Sequence, residues 1–350
     1  MSTAIILSGG GAKGAFSVGA LSHLMSAGVN IPFDIVSGTS TGALIASLVV
    51  INRIDILREI YSTVNNDSII RQRDPLRMIR TNQPYFFSDA PLINIIKSKI
   101  TPQVADQIIQ SPKILLLSAV NLQSGRITIF SNKSLPSTHQ YETVTITTRD
   151  TLINALRASS NQAAFMPPVT MKADDGKDYQ FIDGGCREVI PCLAVIDQHP
   201  STIYVLSNNP KYIFSVNTTY NSVINVLMRV IAIFIQDVRE NDIAALEAWK
   251  KSIATNVDIH YIEPETDLDP DYPTGLRFEP GRMGVMMAKG EARAQAVLDT
   301  LSSSPRILAP SGENPMPEPN ERCVAITMQG IRCKNKPVTG TTYCHVHQHA

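Results

Sequence analysis

Near the N-terminus the apolar residues come in short solid runs, each stopped by glycine and small polar residues. The run Ala4-Ile5-Ile6-Leu7 predicts a buried strand that breaks at Ser8-Gly9-Gly10-Gly11 and gives way to a helical pattern over 15–27, with Gly28 as its C-terminal cap. The succession then repeats. Asp34-Ile35-Val36-Ser37 predicts a second strand, Gly38-Thr39-Ser40-Thr41-Gly42 a tight turn, and the apolar stretch 43–50 a helix that starts at about Thr41. Further along, helical spacing recurs over 55–64 and over 90–100, where Leu92, Ile93, Ile95 and Ile96 share a face; 65–88 between them predicts an irregular excursion on a rim. Residues 113–121 and 126–131, joined through Ser124-Gly125, predict a hairpin, and 151–159 a short helix leading into a loop that Pro167-Pro168 ends. Strands are expected at 179–182, 203–207 and 257–262, and helices at 220–251 and 283–301. The apolar segment 223–235 of the longer helix is interrupted by Asn225 and Arg229 and is too short and polar to span a bilayer. It is expected to be a core helix, the alternative being that part of its apolar face belongs to a lipid-facing rim.

Composition narrows the class without naming a chemistry. With 350 residues, 43% hydrophobic, 18% charged and a formal net charge of zero, the chain reads as an ordinary globular protein with an α/β-sized core plus an appendage. It has no whole-chain attraction to nucleic acid or anionic lipid. The start, Met1-Ser2-Thr3, has no basic region and reaches glycines too soon for a signal peptide, so a cytoplasmic location is expected. Five cysteines are too unevenly placed for a secreted disulfide framework; Cys186 and Cys192 in the main body are expected as buried small hydrophobes. Proline at alternate positions within 309–320 marks a linker, giving a body over 1–305, a linker over 306–320 and a separate tail over 321–350.

Three places carry candidate chemistry. A serine between glycines on a strand-to-helix turn is lifted out of the backbone, with the N–H groups and positive dipole end of the following helix beside it, so Ser40 is a candidate nucleophile flanked by Gly38 and Gly42. Read alone, the pentapeptide also fits an ordinary strand–helix connection. The loop Gly9-Gly10-Gly11-Ala12-Lys13-Gly14 exposes backbone N–H groups at a helix N-terminus. Its spacing departs from a phosphate-binding P-loop, because no hydroxyl follows Lys13, and from a dinucleotide fingerprint, which leaves an oxyanion site. Asp183-Gly184-Gly185 places an acid at a strand's end, at the edge of a parallel sheet; the same dipeptide is also a common turn.

These three motifs, in this order, resemble the patatin-like phospholipases, over about residues 1–305. Ala158-Ser159-Ser160 with Phe165 and Pro167 is similar to the family's Ala-Ser and proline loop, although Asn161-Gln162 stands where small residues are common, and 283–290 is similar to the closing helix of bacterial members. The resemblance implies a three-layer α/β/α fold with a mainly parallel central sheet. It implies a Ser40–Asp183 dyad in place of a triad, with the amides of Gly9, Gly10 and Gly11 holding the oxyanion. Lys13 is expected to fix the loop and takes no chemical step. A triad would need His199 or His260, and His199 sits in a solvated Gln198-His199-Pro200 turn. The expected activity is hydrolysis of phospholipid or another lipid ester through an acyl-Ser40 intermediate, with transient contact to a membrane surface and no catalytic cofactor. A signal-activated, membrane-degrading effector and a partner-targeting protein with a secondary hydrolase body are the alternatives.

The tail has its own logic. Cys323, Cys333, Cys344 and His347 stand with nine, ten and two residues between them, and the segment has too few large apolar side chains to build a core. Thiolate and imidazole ligands suit tetrahedral zinc, whose binding would supply the folding free energy. His345 and His349 are alternative fourth ligands. Arg322, Arg332, Lys334 and Lys336 against Glu321 make the tail basic, so nucleic acid or an anionic membrane is a possible contact.

Overall fold

Within the first strand, Ile5 and Leu7 turn to one side of the sheet and Ala4 and Ile6 to the other, and all four are fully buried. A strand apolar on both faces needs a layer of helices on each side. The structure, a computed structural model, describes residues 2–69, 71–72, 85, 87–163, 165–173, 175–211, 219–270, 272 and 275–303. In chain order its strands are β1 (Thr3–Leu7), β2 (Ile35–Thr39), β3 (Arg71–Gln72), β4 (Phe87–Ser88), β5 (Ile114–Asn121), β6 (Ile127–Ser131), β7 (Tyr141–Thr145), β8 (Val169–Lys172), β9 (Asp178–Asp183), β10 (Thr202–Leu206) and β11 (Asp258–Ile262). The helices are α1 (Gly14–Leu24), α2 (Thr41–Val49), α3 (Ile54–Thr63), α4 (Asn66–Ile69), α5 (Ala90–Lys99), α6 (Pro102–Gln110), α7 (Arg149–Ser160), α8 (Leu193–Ile196), α9 (Val223–Ser252) and α10 (Pro280–Ser303).

The sheet runs β11-β10-β1-β2-β5-β6-β7, parallel from β11 through β5. One face packs under α1, α2 and the methionines of α10; the other packs against α8 and Leu246 of α9. This is the three-layer α/β/α arrangement. From β1 the chain proceeds to β2 and β5 on one side and later to β10 and β11 on the other, so the topological switch lies beside β1. Crevices at such points, outside the carboxyl ends of the strands, are where ligands bind in open α/β sheets. The chain divides into Met1–Thr300 and Leu301–Ala350. The linker, the tail and its four proposed zinc ligands lie outside the described residues.

Several expectations need correction. Helix α1 stops at Leu24 without using Gly28, because a tight turn intervenes in which Ser26 N–H reaches His23 O and Ile31 N–H reaches Leu24 O. The strand carrying Asp183 lies antiparallel to β5 and to β8, so the acid arrives from the opposite direction to the parallel strands. Cys186 is exposed; only Cys192 is buried. Helix α9 is a core helix only in its second half, where Arg239 and Leu246 are buried; Val226, Leu227, Ile233 and Phe234 of its first half are exposed. Among the described residues, no helix is long and apolar enough to cross a membrane.

Candidate active site

The end of β2 is a backbone under strain. Ser40 has φ 58° and ψ −127°, a region that a non-glycine residue enters at a cost on the order of 1–3 kcal/mol and holds only where its surroundings enforce it. Here they do so by close approach. A Cβ on Gly38 would fall 2.2 Å from Gly42 O, and one on Gly42 would fall 2.2 Å from Leu7 O, so strand, turn and helix meet only because both positions lack side chains. Ser40 N–H donates to Ser159 Oγ (3.1 Å), and Ser159 Oγ donates to Ser118 O (2.6 Å). Helix α2 starts at the next residue, aiming its free N–H groups at the serine.

One strand sets the distance between serine and acid. β5 pairs with β2 along its first part, where Ser118 faces Thr39, and with β9 beyond it, where Ala119 faces Asp183. The end of β2 and the end of β9 are thereby laid side by side against successive residues of β5. Asp183 N–H donates to Asn161 O (3.0 Å), and Gly185 N–H donates to Asp183 Oδ1 (2.7 Å). Ser40 and Asp183 both line one cavity. Burial pushes the Asp183 carboxyl up to about 6, against the pull of the bonds from Ser40 and Gly185. Gly184 lies against Ser118 O, where a Cβ would come within 2.4 Å.

The glycine loop closes over the serine from β1. Gly9 lies against it, a Cβ there falling 3.2 Å from Ser40 Cβ, but Gly9 N–H is engaged with Val189 O at 3.3 Å. Gly10 and Gly11, at φ 148° and 57°, have N–H groups with no acceptor among the described residues. Gly275 backs the loop, accepting Ala12 N–H at 2.8 Å; a Cβ on Gly11 would fall 2.3 Å from Gly275 O. Lys13 is buried and paired with Asp267 (2.7 Å) and Asn209 Oδ1 (3.2 Å), so its charge anchors the loop. Gly14 opens α1 in contact with Thr41 and Tyr61, which bond to each other.

Beneath the serine is a cavity of about 780 Å³, whose walls include Ser40, Asp183 and the apolar side chains of Leu44, Leu48, Leu57, Ile96 and Leu156. Among the described residues no histidine lines it. His199 is exposed in its turn at φ 50°, and His260 packs on the Tyr204 ring at 5.0 Å. Nor do the described residues hold a cluster of three metal-ligating side chains.

Two acids that motif reading missed, the buried Glu188 and the half-buried Asp242, support the site. Asp242 of α9 accepts Val189 N–H (2.7 Å) and Ile190 N–H (2.8 Å), holding the residue whose carbonyl takes Gly9 N–H. Glu188 accepts Leu193 N–H (2.9 Å) and Ser118 Oγ (3.0 Å). Burial raises both carboxyls, and the Glu188 charge raises Asp242 further. The segment after the acid is thus tied both to the glycine loop and to β5, the strand against which the ends of β2 and β9 lie. Neither stands out in the sequence, since Asp242 ends the polar run Arg239-Glu240-Asn241 and Glu188 follows Arg187, and neither setting says what the acid faces.

The crystal structure of VipD from Legionella pneumophila is similar over 85% of this chain and 67% of that one, at 14% identity and a TM-score of 0.41. No curated protein matches the chain. The profile of the family described as patatin-like phospholipase matches residues 5–196, a stretch that contains the glycine loop, Ser40 and Asp183. Since that match covers more than half of the sequence, the chain belongs to the patatin-like phospholipase family.

Proposed function

We propose that this chain hydrolyses lipid esters through an acyl-enzyme on Ser40, with Asp183 as its base. Ser40 Oγ attacks the ester carbonyl carbon while its proton passes to the Asp183 carboxylate, and the carbonyl electrons move onto oxygen. The N–H groups of Gly10 and Gly11 and the N-terminal end of α2 hold that oxyanion. Collapse expels the alcohol, which takes the proton back from Asp183. Water then repeats the sequence, giving up a proton to Asp183, and releases the fatty acid and free Ser40. The apolar cavity takes the acyl chain, and because such substrates reside in membranes, the enzyme works at a membrane surface.

The observation that carries this reading is that Ser40, on its strained strand-to-helix turn, and the buried carboxylate Asp183 stand in the wall of one large apolar cavity. Its test is turnover of a short-chain nitrophenyl ester and of a phospholipid by Ser40→Ala and Asp183→Asn. Both reactions should fall by several orders of magnitude in each variant while the fold persists, and the double variant should be little worse than either single one. Near-normal turnover by either variant would refute the dyad.

For the tail we propose a structural zinc held by Cys323, Cys333, Cys344 and His347, supported by the ligand spacing and the lack of apolar residues for a core. Elemental analysis of metal-repleted full-length protein should give about one zinc per chain. A content near zero, or one unchanged by Cys333→Ser with Cys344→Ser, would refute it.

A further inference from the structure

From the first half of α9 we infer that its outward face is the surface by which the enzyme lies on a phospholipid bilayer, delivering lipid directly into the cavity. The inference rests on the lipid-ester reading above and extends it to where and how the substrate enters. Val226, Leu227, Ile233 and Phe234 are 47%, 39%, 48% and 65% exposed. Their spacing puts them within an arc of about 120° on the helix, and Val230 falls inside it. The next outward positions are Asp237 and Asn241, both exposed, so the apolar surface ends abruptly after Phe234. The opposite side of the same turns carries Ile231, Ala232, Ile235 and Val238, which line the catalytic cavity. Over 226–235 the helix is therefore apolar on both sides, a pattern that belongs to a helix covered on both sides. The cavity accounts for only one of them.

What covers the other side follows from continuity and charge. Phe234 belongs both to the exposed face and to the cavity wall, so the patch runs into the acyl cavity without a polar break. An acyl chain leaving a bilayer beneath this face reaches Ser40 without crossing water. Arg229, on the same turns, lines the cavity and has no ion-pair partner among the described residues. A cation there complements the phosphate of a phospholipid whose chain has entered. The patch is about 12 Å long, far short of a bilayer's thickness, so it rests within the headgroup boundary and does not span the membrane.

The test uses full-length protein carrying Ser40→Ala, so that lipid is not consumed, and phosphatidylcholine vesicles in high salt, which suppresses contacts made by charge alone. The combined variant Val226→Gln, Leu227→Gln and Ile233→Gln changes the face and no cavity-lining residue, and glutamine keeps helix propensity. The parent should co-sediment with vesicles, and the triple variant should partition about a hundredfold or more weakly. In the Ser40 background, the triple variant should lose hydrolysis of vesicle phospholipid while turnover of a soluble short-chain ester stays unchanged. Ile233→Trp should strengthen partitioning, a gain that keeps the inference testable even where the triple variant folds poorly. A parent that stays in the supernatant, or a triple variant that sediments like its parent, would overturn it. So would light scattering in which the triple variant splits a dimer without altering vesicle binding, because the face would then join two copies of the chain. Loss of the hydrolase reading shows itself separately, as soluble-ester turnover that survives Ser40→Ala.

Discussion

At the scale of single residues, the protein holds Asp183 where its charge is costly. Burial lifts its carboxyl from the ordinary 3.8 to about 6, so the folded state binds the proton more tightly than the unfolded chain does. The stability linked to this group is fully present below 3.8 and is lost as pH rises to about 6, at a total cost on the order of 3 kcal/mol above that pH. Catalysis needs the ionised form, so turnover of a soluble ester should rise with pH through about 6 and level off above it. Asp183→Asn removes the buried charge. It should abolish turnover yet raise Tm at pH 8 relative to the parent, with the gain vanishing near pH 3; a pH-independent difference between the two melting curves would contradict the assignment. Asp242 acts one step further out. Because it holds Val189, whose carbonyl takes Gly9 N–H, Asp242→Ala should lower kcat about tenfold or more with KM little changed, and Asp242→Asn, which keeps an acceptor, should restore much of it. Equal losses in both variants, or a change confined to Tm, would show that Asp242 supports only the fold.

At the scale of elements, the elbow depends on backbones in contact. Gly42→Ala puts a methyl group where Leu7 O already sits, and neither α2 nor β1 has room to retreat between two packed cores. Loss of more than about 3 kcal/mol in denaturant unfolding is expected, together with loss of turnover; a stable, active Gly42→Ala would mean that the turn is looser than its contacts imply. The elements that were legible in sequence are those with solid apolar runs or a strong helical stripe, such as β1, β2, β5 and α5. Those that escaped are mostly half-exposed. Of β7, only Tyr141 is buried while its neighbours are open to varying degrees, and β8 alternates around Val169, so neither offers a run to read. Helix α6 did carry a signal, with Thr101 capping Val104 N–H and Pro102 in the first turn. For the first half of α9 the sequence left a core helix and a lipid-facing rim as alternatives, because an apolar stripe says that a face is covered without saying by what.

At the scale of the molecule, the proposed catalytic pair is a product of topology. Ser40 and Asp183 are far apart in sequence, and their meeting depends on β5 accepting β2 and then β9 along one edge. The motifs marked which residues to bring together; nothing in the spacing along the chain revealed the strand that spaces them. Sequence likewise marked the glycine loop as an anion cradle, but which of its amides are free depends on Val189, Gly275 and Asp267, the partner of the loop's buried Lys13, all three contributed by distant segments. The central claim is that one serine carries the acyl group between two half-reactions. It is tested most directly by acid-quenching the enzyme during turnover of a slowly deacylating ester and measuring the mass of its peptides. The account predicts an added acyl group on the peptide containing Ser40, absent from Ser40→Ala and failing to accumulate in Asp183→Asn. An acyl group on another residue, or full turnover with no modified peptide in the presence of a fast acylation step, would contradict it.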